Sequence, residues 1–166
     1  MFHVGDLIIY SAHGVCQIDD ICEKTFLGVN RTYYVLHPIE EPTLIISIPL
    51  DHESVQAFKI MEKDQAETII QSFRLPGIDW IENNHQRANR YQDIVNRGNR
   101  EEISKVVNTL LKKQHEAEQN QKKLGQIDLR LLTCIQKILF TELAISLDTP
   151  LDVVEDRVKS YIELQE

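Results

Sequence analysis

Three cysteines in 166 residues, Cys16, Cys22 and Cys134, are too few and too scattered for a disulfide framework or a CxxC pair. Free thiols in a reducing cytosol are the expected state. No apolar run approaches the roughly 18 residues of a membrane span, so no membrane partner is expected. The opening Met1-Phe2-His3-Val4-Gly5-Asp6 has no basic stretch and no long apolar one, so no secretory leader is read there. The phosphate-cradling GxxxxGK[ST], the dinucleotide GxGxxG and the nucleophile elbow GxSxG are all missing. The histidines at 3, 13, 37, 52, 85 and 115 include no i, i+4 pair of the kind that holds a metal on a helix. Asp19-Asp20 and Glu40-Glu41 read as solvated residues near turns. Cys134, inside an apolar helix, reads as a buried structural thiol. The chain therefore reads as a binding protein and not an enzyme, with no metal and no cofactor.

What is present is an uneven distribution of charge. The net charge is −8, which argues against nucleic acid as a partner of the whole surface. Residues 71–130, however, hold 11 basic and 8 acidic side chains, and every other segment is net acidic. A local basic face can still hold phosphates, because salt screens charges beyond about 8–10 Å. Such a protein is best delivered to DNA by another partner.

The pattern of apolar residues changes near residue 60. Before it, Leu7–Tyr10, Val15–Ile21, Thr32–Leu36 and Leu44–Ile48 read as short strands, with turns at His13-Gly14 and Gly28-Val29-Asn30. They predict a small bent sheet or barrel of the SH3 or Tudor kind over residues 1–60. After it the period is helical. Ala66, Ile69, Ile70 and Phe73 share one face of a linking helix, and Leu75-Pro76-Gly77 breaks the chain, so 61–78 reads as a linker. Residues 79–166 read as a bundle of about four helices. The first covers much of 80–96 and stops at Gly98. The second shows Ile103, Val106, Val107, Leu110 and Leu111 at i, i+3, i+4, i+7, i+8. The third carries Ile127, Leu131, Ile135, Ile138, Leu139 and Leu143. The last starts with Thr149 as N-cap, Pro150 at N1 and Asp152 at N3. Strands followed by helices, without alternation, give an α+β chain with an all-helical C-terminal domain.

Two features carry alternatives. The strand Leu44–Pro49 is either an interior strand or an exposed edge that pairs with a strand of another protein. Trp80, the only tryptophan, is either a core residue or an exposed aromatic ahead of Arg87, Arg90, Arg97 and Arg100. In the second case it sits next to phosphate-binding cations. Arg87 and Arg90, three apart, are placed to face one backbone.

Phe2-His3-Val4-Gly5-Asp6-Leu7-Ile8-Ile9-Tyr10, followed by His13-Gly14, resembles the opening of the CarD/CdnL family. That N-terminal module is shared with the transcription–repair coupling factor. Tyr33–Leu36, Leu44–Pro49, Trp80, the basic helix, Gly98 and the run Leu139-Phe140-Thr141-Glu142-Leu143-Ala144 are similar to the rest of the family's chain. The resemblance implies a cytoplasmic, monomeric bacterial transcription regulator. Its N-terminal module would bind the RNA polymerase β subunit through Ile46, Ser47, Ile48 and Pro49, with Lys24 as a basic contact. Its C-terminal domain would hold promoter DNA at the upstream edge of the bubble, with Trp80 as a minor-groove wedge and Arg87, Arg90 and Arg97 at phosphates. The implied outcome is a longer-lived open complex without sequence-specific readout. Ser47 stands where other members carry arginine. A protein-interaction adaptor whose helical domain binds a second protein remains the alternative, and Trp80 discriminates between the two.

Overall fold

Alternation of buried and exposed residues builds the first part of the chain into one antiparallel sheet. The computed structural model describes residues 2–10, 13–50 and 57–164, and it divides into two units, Met1–Ile60 and Met61–Glu166. In the first unit, β1 (Leu7–Tyr10), β2 (Gly14–Phe26), β3 (Val29–Pro38), β4 (Ile46–Pro49) and β5 (Ala57–Lys59) lie in the order β4-β3-β2-β1-β5. β4 and β5 are therefore the edges among the described residues. Ile8, Cys16, Ile18, Tyr34, Leu36 and Ile48 form the buried cluster on one face. Burial pushes the Cys16 thiol up to about 11, so it remains protonated at neutral pH.

The β2–β3 hairpin is longer than the spacing of apolar residues predicts. Its turn is Leu27-Gly28, not Gly28-Val29-Asn30, and both residues have positive φ (52° and 76°). That is the backbone of a two-residue turn whose twist matches the strands. A register shift falls between Ile18 and Asp20. Before it, Cys16 and Ile18 face the core; after it, the even-numbered residues of β2 pair with the odd-numbered residues of β3, on the opposite face. One extra residue thereby turns Lys24 and Phe26 away from the core.

The second unit contains α1 (Lys63–Gln71), a 3-10 turn (Ser72–Arg74), α2 (Asn84–Arg97), α3 (Arg100–Gln119), α4 (Gln126–Ser146) and α5 (Leu151–Glu163). The expected linker is no linker. Ala66, Ile69, Ile70 and Phe73 are fully buried in the same core as Val106, Leu110, Leu139, Leu143, Val154 and Val158. Burying four such side chains stabilises the helical unit by several kcal/mol, at about 1.5–3 kcal/mol for each large one.

Gly98 closes α2 in the left-handed conformation (φ 75°), as its C′ role demands. The start of α5 differs from expectation by one residue. Pro150 is the N-cap and Leu151 the first helical residue. The Thr149 hydroxyl is buried and makes no hydrogen bond among the described residues, so it caps nothing. Cys134 is exposed, not buried, and Ile127 is 48% exposed. α4 carries apolar residues around more of its circumference than it buries: Ile135, Leu139 and Leu143 lie in the core, Ile127 does not. Its inner face also contains two carboxylates, Asp128 and Glu142.

Glu142 ties α4 to α3 and to the segment that precedes α1. It accepts from Arg100 Nε at 3.1 Å and Nη2 at 2.9 Å, and from the Met61 amide at 3.0 Å. It is only 1% exposed. Removing one partner of a buried pair strands the other charge, which costs about 3–5 kcal/mol. Glu142→Ala is therefore expected to lower the unfolding free energy by about that amount in urea denaturation. A loss below about 1 kcal/mol would show that the pair contributes only as an exposed one does.

Candidate functional site

Residues 75–83 run irregularly between the 3-10 turn and α2, and Trp80 lies on this segment, not on a helix. The loop has carbonyls that no helix or sheet satisfies. Side chains on α2 and α3 satisfy them instead. Asn108 donates to Leu75 O at 2.9 Å, Thr109 to Ile78 O at 2.7 Å and Tyr91 to Asp79 O at 2.8 Å. The Ile78 amide donates to Lys105 O at 3.3 Å. Burial raises the Tyr91 pKa, which keeps its hydroxyl a donor. Gly77 makes the approach possible. A Cβ there would lie 2.8 Å from Lys105 O and closer still to the Thr109 hydroxyl.

Trp80 itself is half-buried and packs on the edge of the helical core. Two cations reach its ring: the Arg87 guanidinium at 4.0 Å from the centroid and the Lys113 ammonium at 4.9 Å. Such contacts stabilise a ring position by about 0.5–2 kcal/mol.

The arginines expected at phosphates separate into two kinds. Arg87 is 3% exposed. Its Nε and Nη2 donate to the two carboxylate oxygens of Asp128 at 2.8 and 2.7 Å. Its Nη1 donates to Ile81 O at 2.6 Å, and Nη2 also reaches Asn84 Oδ1 at 2.7 Å. This guanidinium is directed inward and does not face a common backbone with Arg90. Arg100 is likewise held by Glu142. Arg90 and Arg97 are exposed, seven residues apart on one side of α2.

Cations that the sequence reading passed over lie nearer the tryptophan. An open cavity beside Trp80 is lined by Lys113, Lys122 and Lys123 as well as Arg87, against Glu116 and Asp128. Arg87 is neutralised by Asp128, and Lys113 stands 3.8 Å from Glu116. Lys122 and Lys123, in the turn between α3 and α4, give the cavity its positive character. They are some forty residues from Trp80 in sequence, on the polar stretch 114–123. Nothing local marked them.

In the N-terminal unit β4 is an edge strand among the described residues and not an interior one. The Leu50 amide donates to Thr32 O at 3.0 Å, so even-numbered residues of this strand direct their main-chain groups to β3. Ser47 and Pro49 direct theirs to the open side, and Pro49 has no N–H. Ile46 and Ile48 pack into the core cluster, with Ile48 only 4% exposed. Of the four expected contact residues on this strand, only Ser47 and Pro49 have groups that face outward. Lys24 is brought to the same place. Its ammonium donates to Ser47 Oγ at 2.9 Å, reaching across β3 past the Tyr33 ring.

Among the described residues no cluster of three or more His, Cys, Asp or Glu is arranged to hold a metal ion. No described helix is long and apolar enough to cross a membrane. Compared with known families, residues 2–58 match the CarD-like/TRCF RID domain and residues 68–159 match the CarD C-terminal domain.

Because Trp80 is the only tryptophan, its fluorescence reports the loop directly. Arg87→Ala is expected to shift the emission to longer wavelength and to increase acrylamide quenching, since the ring loses the nearer of its two cations and Ile81 O its donor. Emission identical to that of the parent chain would mean that Arg87 does not hold the loop.

Proposed function

The chain belongs to the CarD-like family, whose domains are those of transcription-associated proteins that interact with RNA polymerase, and from that premise we propose that it is a non-catalytic regulator stabilising the open promoter complex. The N-terminal unit pairs the open side of β4 with a strand of the polymerase β subunit. The helical unit holds promoter DNA at the upstream edge of the bubble. Trp80 is the wedge, Lys122 and Lys123 join Arg90 and Arg97 at phosphates, and Arg87 positions the tryptophan. The chain acts as a monomer in the cytoplasm.

The observation that carries this reading is the setting of Trp80. An aromatic ring half-exposed on a clamped loop, beside surplus lysines, suits insertion at a base step. Unstacking a step costs a few kcal/mol. A wedge stabilises the melted state only by the difference between its binding to melted and closed DNA. A rigid loop enlarges that difference, because little ordering remains to be done on insertion. Attachment to the polymerase raises the local concentration, so affinity for free DNA can stay low in an acidic protein.

The adaptor reading gains from one observation, the pairing of Arg87 and Arg100 with carboxylates, which removes two cations from the surface. Trp80 is the deciding residue. Trp80→Ala is expected to leave the circular dichroism spectrum and polymerase binding unchanged and to shorten the lifetime of the open complex severalfold. An unchanged lifetime would sink the wedge and favour the adaptor.

Strand pairing has its own test. Ser47→Pro removes an outward N–H and no bond to β3, and proline is tolerated on the free side of an edge strand. Polymerase binding is expected to fall at least tenfold with the melting temperature retained. Full binding by a folded Ser47→Pro chain would exclude main-chain pairing at this edge.

A further inference from the structure

The helical unit has a second concave surface, on the side of α3 turned away from Trp80. The buried residues of α3 end at Leu110, although the helix continues to Gln119. In that last part Leu111, Gln114, His115 and Glu118, spaced i, i+3, i+4, i+7, share one face. Lys113, which lines the cavity beside Trp80, is about 200° round the helix from Leu111 at 3.6 residues per turn. The two faces of α3 are therefore opposed. α4 and α5 complete the second one, and the three helices surround an open groove of about 320 Å³.

The groove is apolar at the bottom and acidic along its edges. Phe140, Val158 and Ile162 are buried at the floor, and Leu111 is half-buried on the wall. Glu118 stands on the α3 edge, and Glu155 and Glu163 stand on the α5 edge, all three exposed. None of these carboxylates is in an ion pair among the described residues. Lys159, four residues from both Glu155 and Glu163, offsets one of them and leaves carboxylates in excess. A lining of this sign repels phosphate, so nucleic acid and anionic lipid do not fit it. From Leu111 to Glu118, and from Glu155 to Glu163, the walls are about 10–12 Å long at 1.5 Å per residue, the length of two helical turns.

We propose that this groove on α3, α4 and α5 docks a basic amphipathic helical segment of a partner protein. About two turns of the segment lie between α3 and α5, with apolar side chains at i, i+3 and i+4 against Leu111, Phe140 and Ile162. Lysines or arginines along the edges of the segment meet Glu118 on one side and Glu155 and Glu163 on the other. Opposite charge selects the occupant and speeds its approach, and the floor holds it. The floor is small, so the contact weakens as salt rises and screens the edges. The docking site does not depend on the proposed contact with DNA, because the opposite face of α3 is the one beside Trp80.

The test titrates the isotope-labelled full-length chain with a synthetic helical peptide of about 14 residues, roughly four turns, with leucines on one face and lysines elsewhere. Amide shifts are expected to concentrate in residues 111–118, 136–140 and 155–163. A peptide of the same composition in scrambled order is expected to bind about fivefold more weakly or worse, because its leucines share no face. Glu155→Gln with Glu163→Gln changes exposed residues only, so it is expected to keep the circular dichroism spectrum and melting temperature. Its affinity for the peptide is expected to fall about fivefold or more. Glu82→Gln with Asp93→Asn removes the same amount of charge outside the groove and is expected to leave the affinity unchanged. Equal losses in the two double variants, or shifts spread over the whole acidic surface, would reduce the contact to general attraction and overturn the proposal. Equal binding of the scrambled peptide, or no shift at all, would overturn it as well. Sedimentation of the parent as a dimer that Glu155→Gln with Glu163→Gln turns into a monomer would assign the groove to a second copy of this chain, which also overturns the proposal.

Discussion

The buried pairing of Arg87 with Asp128 is the interaction on which the placement of the Trp80 loop depends. It joins α2 to α4, and the remaining guanidinium donor bonds the carbonyl of Ile81 in the loop that carries Trp80. The same guanidinium lies 4.0 Å from the indole centroid. A buried ion pair is weak evidence for net stability, because desolvation consumes much of the Coulombic gain. Its effect here is on conformation. It fixes where an irregular segment goes, and with that segment the only tryptophan.

The loop 75–83 shows how a chain holds a half-buried tryptophan outside regular structure. Backbone carbonyls that find no partner cost about 1–3 kcal/mol each when buried. Donors from Asn108, Thr109, Tyr91 and Arg87 meet four of them. Gly77 gives the backbone room to lie against α3. The N-terminal unit solves a similar problem by register. One bulge in β2 turns Lys24 and Phe26 outward and leaves the core face to Ile8, Cys16, Ile18 and Leu36. In both units a local irregularity decides which side chains face away from the core.

Much of this architecture was legible along the chain. The change from period two to period 3.6 near residue 60 separated the units, and Gly98 and Leu75-Pro76-Gly77 marked real breaks. Trp80 stood out by being unique, and the count of charge by segment found the basic region. Less legible were the phase of α4 and the membership of residues 61–78. An apolar residue on an amphipathic helix shows that a face is buried, but not in which core. Arg87 was misread for a related reason. An arginine in a basic segment looks solvated until its carboxylate, forty-one positions away, is known. Lys122 and Lys123 were missed because no local pattern ties them to Trp80.

The sequence by itself determined the α+β order of elements, the family and the singular position of Trp80. These depend on local periodicity and on motifs read over short spans. Only the tertiary structure decided which cations are available, which residues of β4 face outward, and that Lys24 and Phe26 turn away from the core. Those properties depend on contacts between residues far apart in the chain and on the parity of a strand after a bulge. The basic stretch thus divides into Arg87, buried to hold Trp80, and Lys122 and Lys123, folded back beside it.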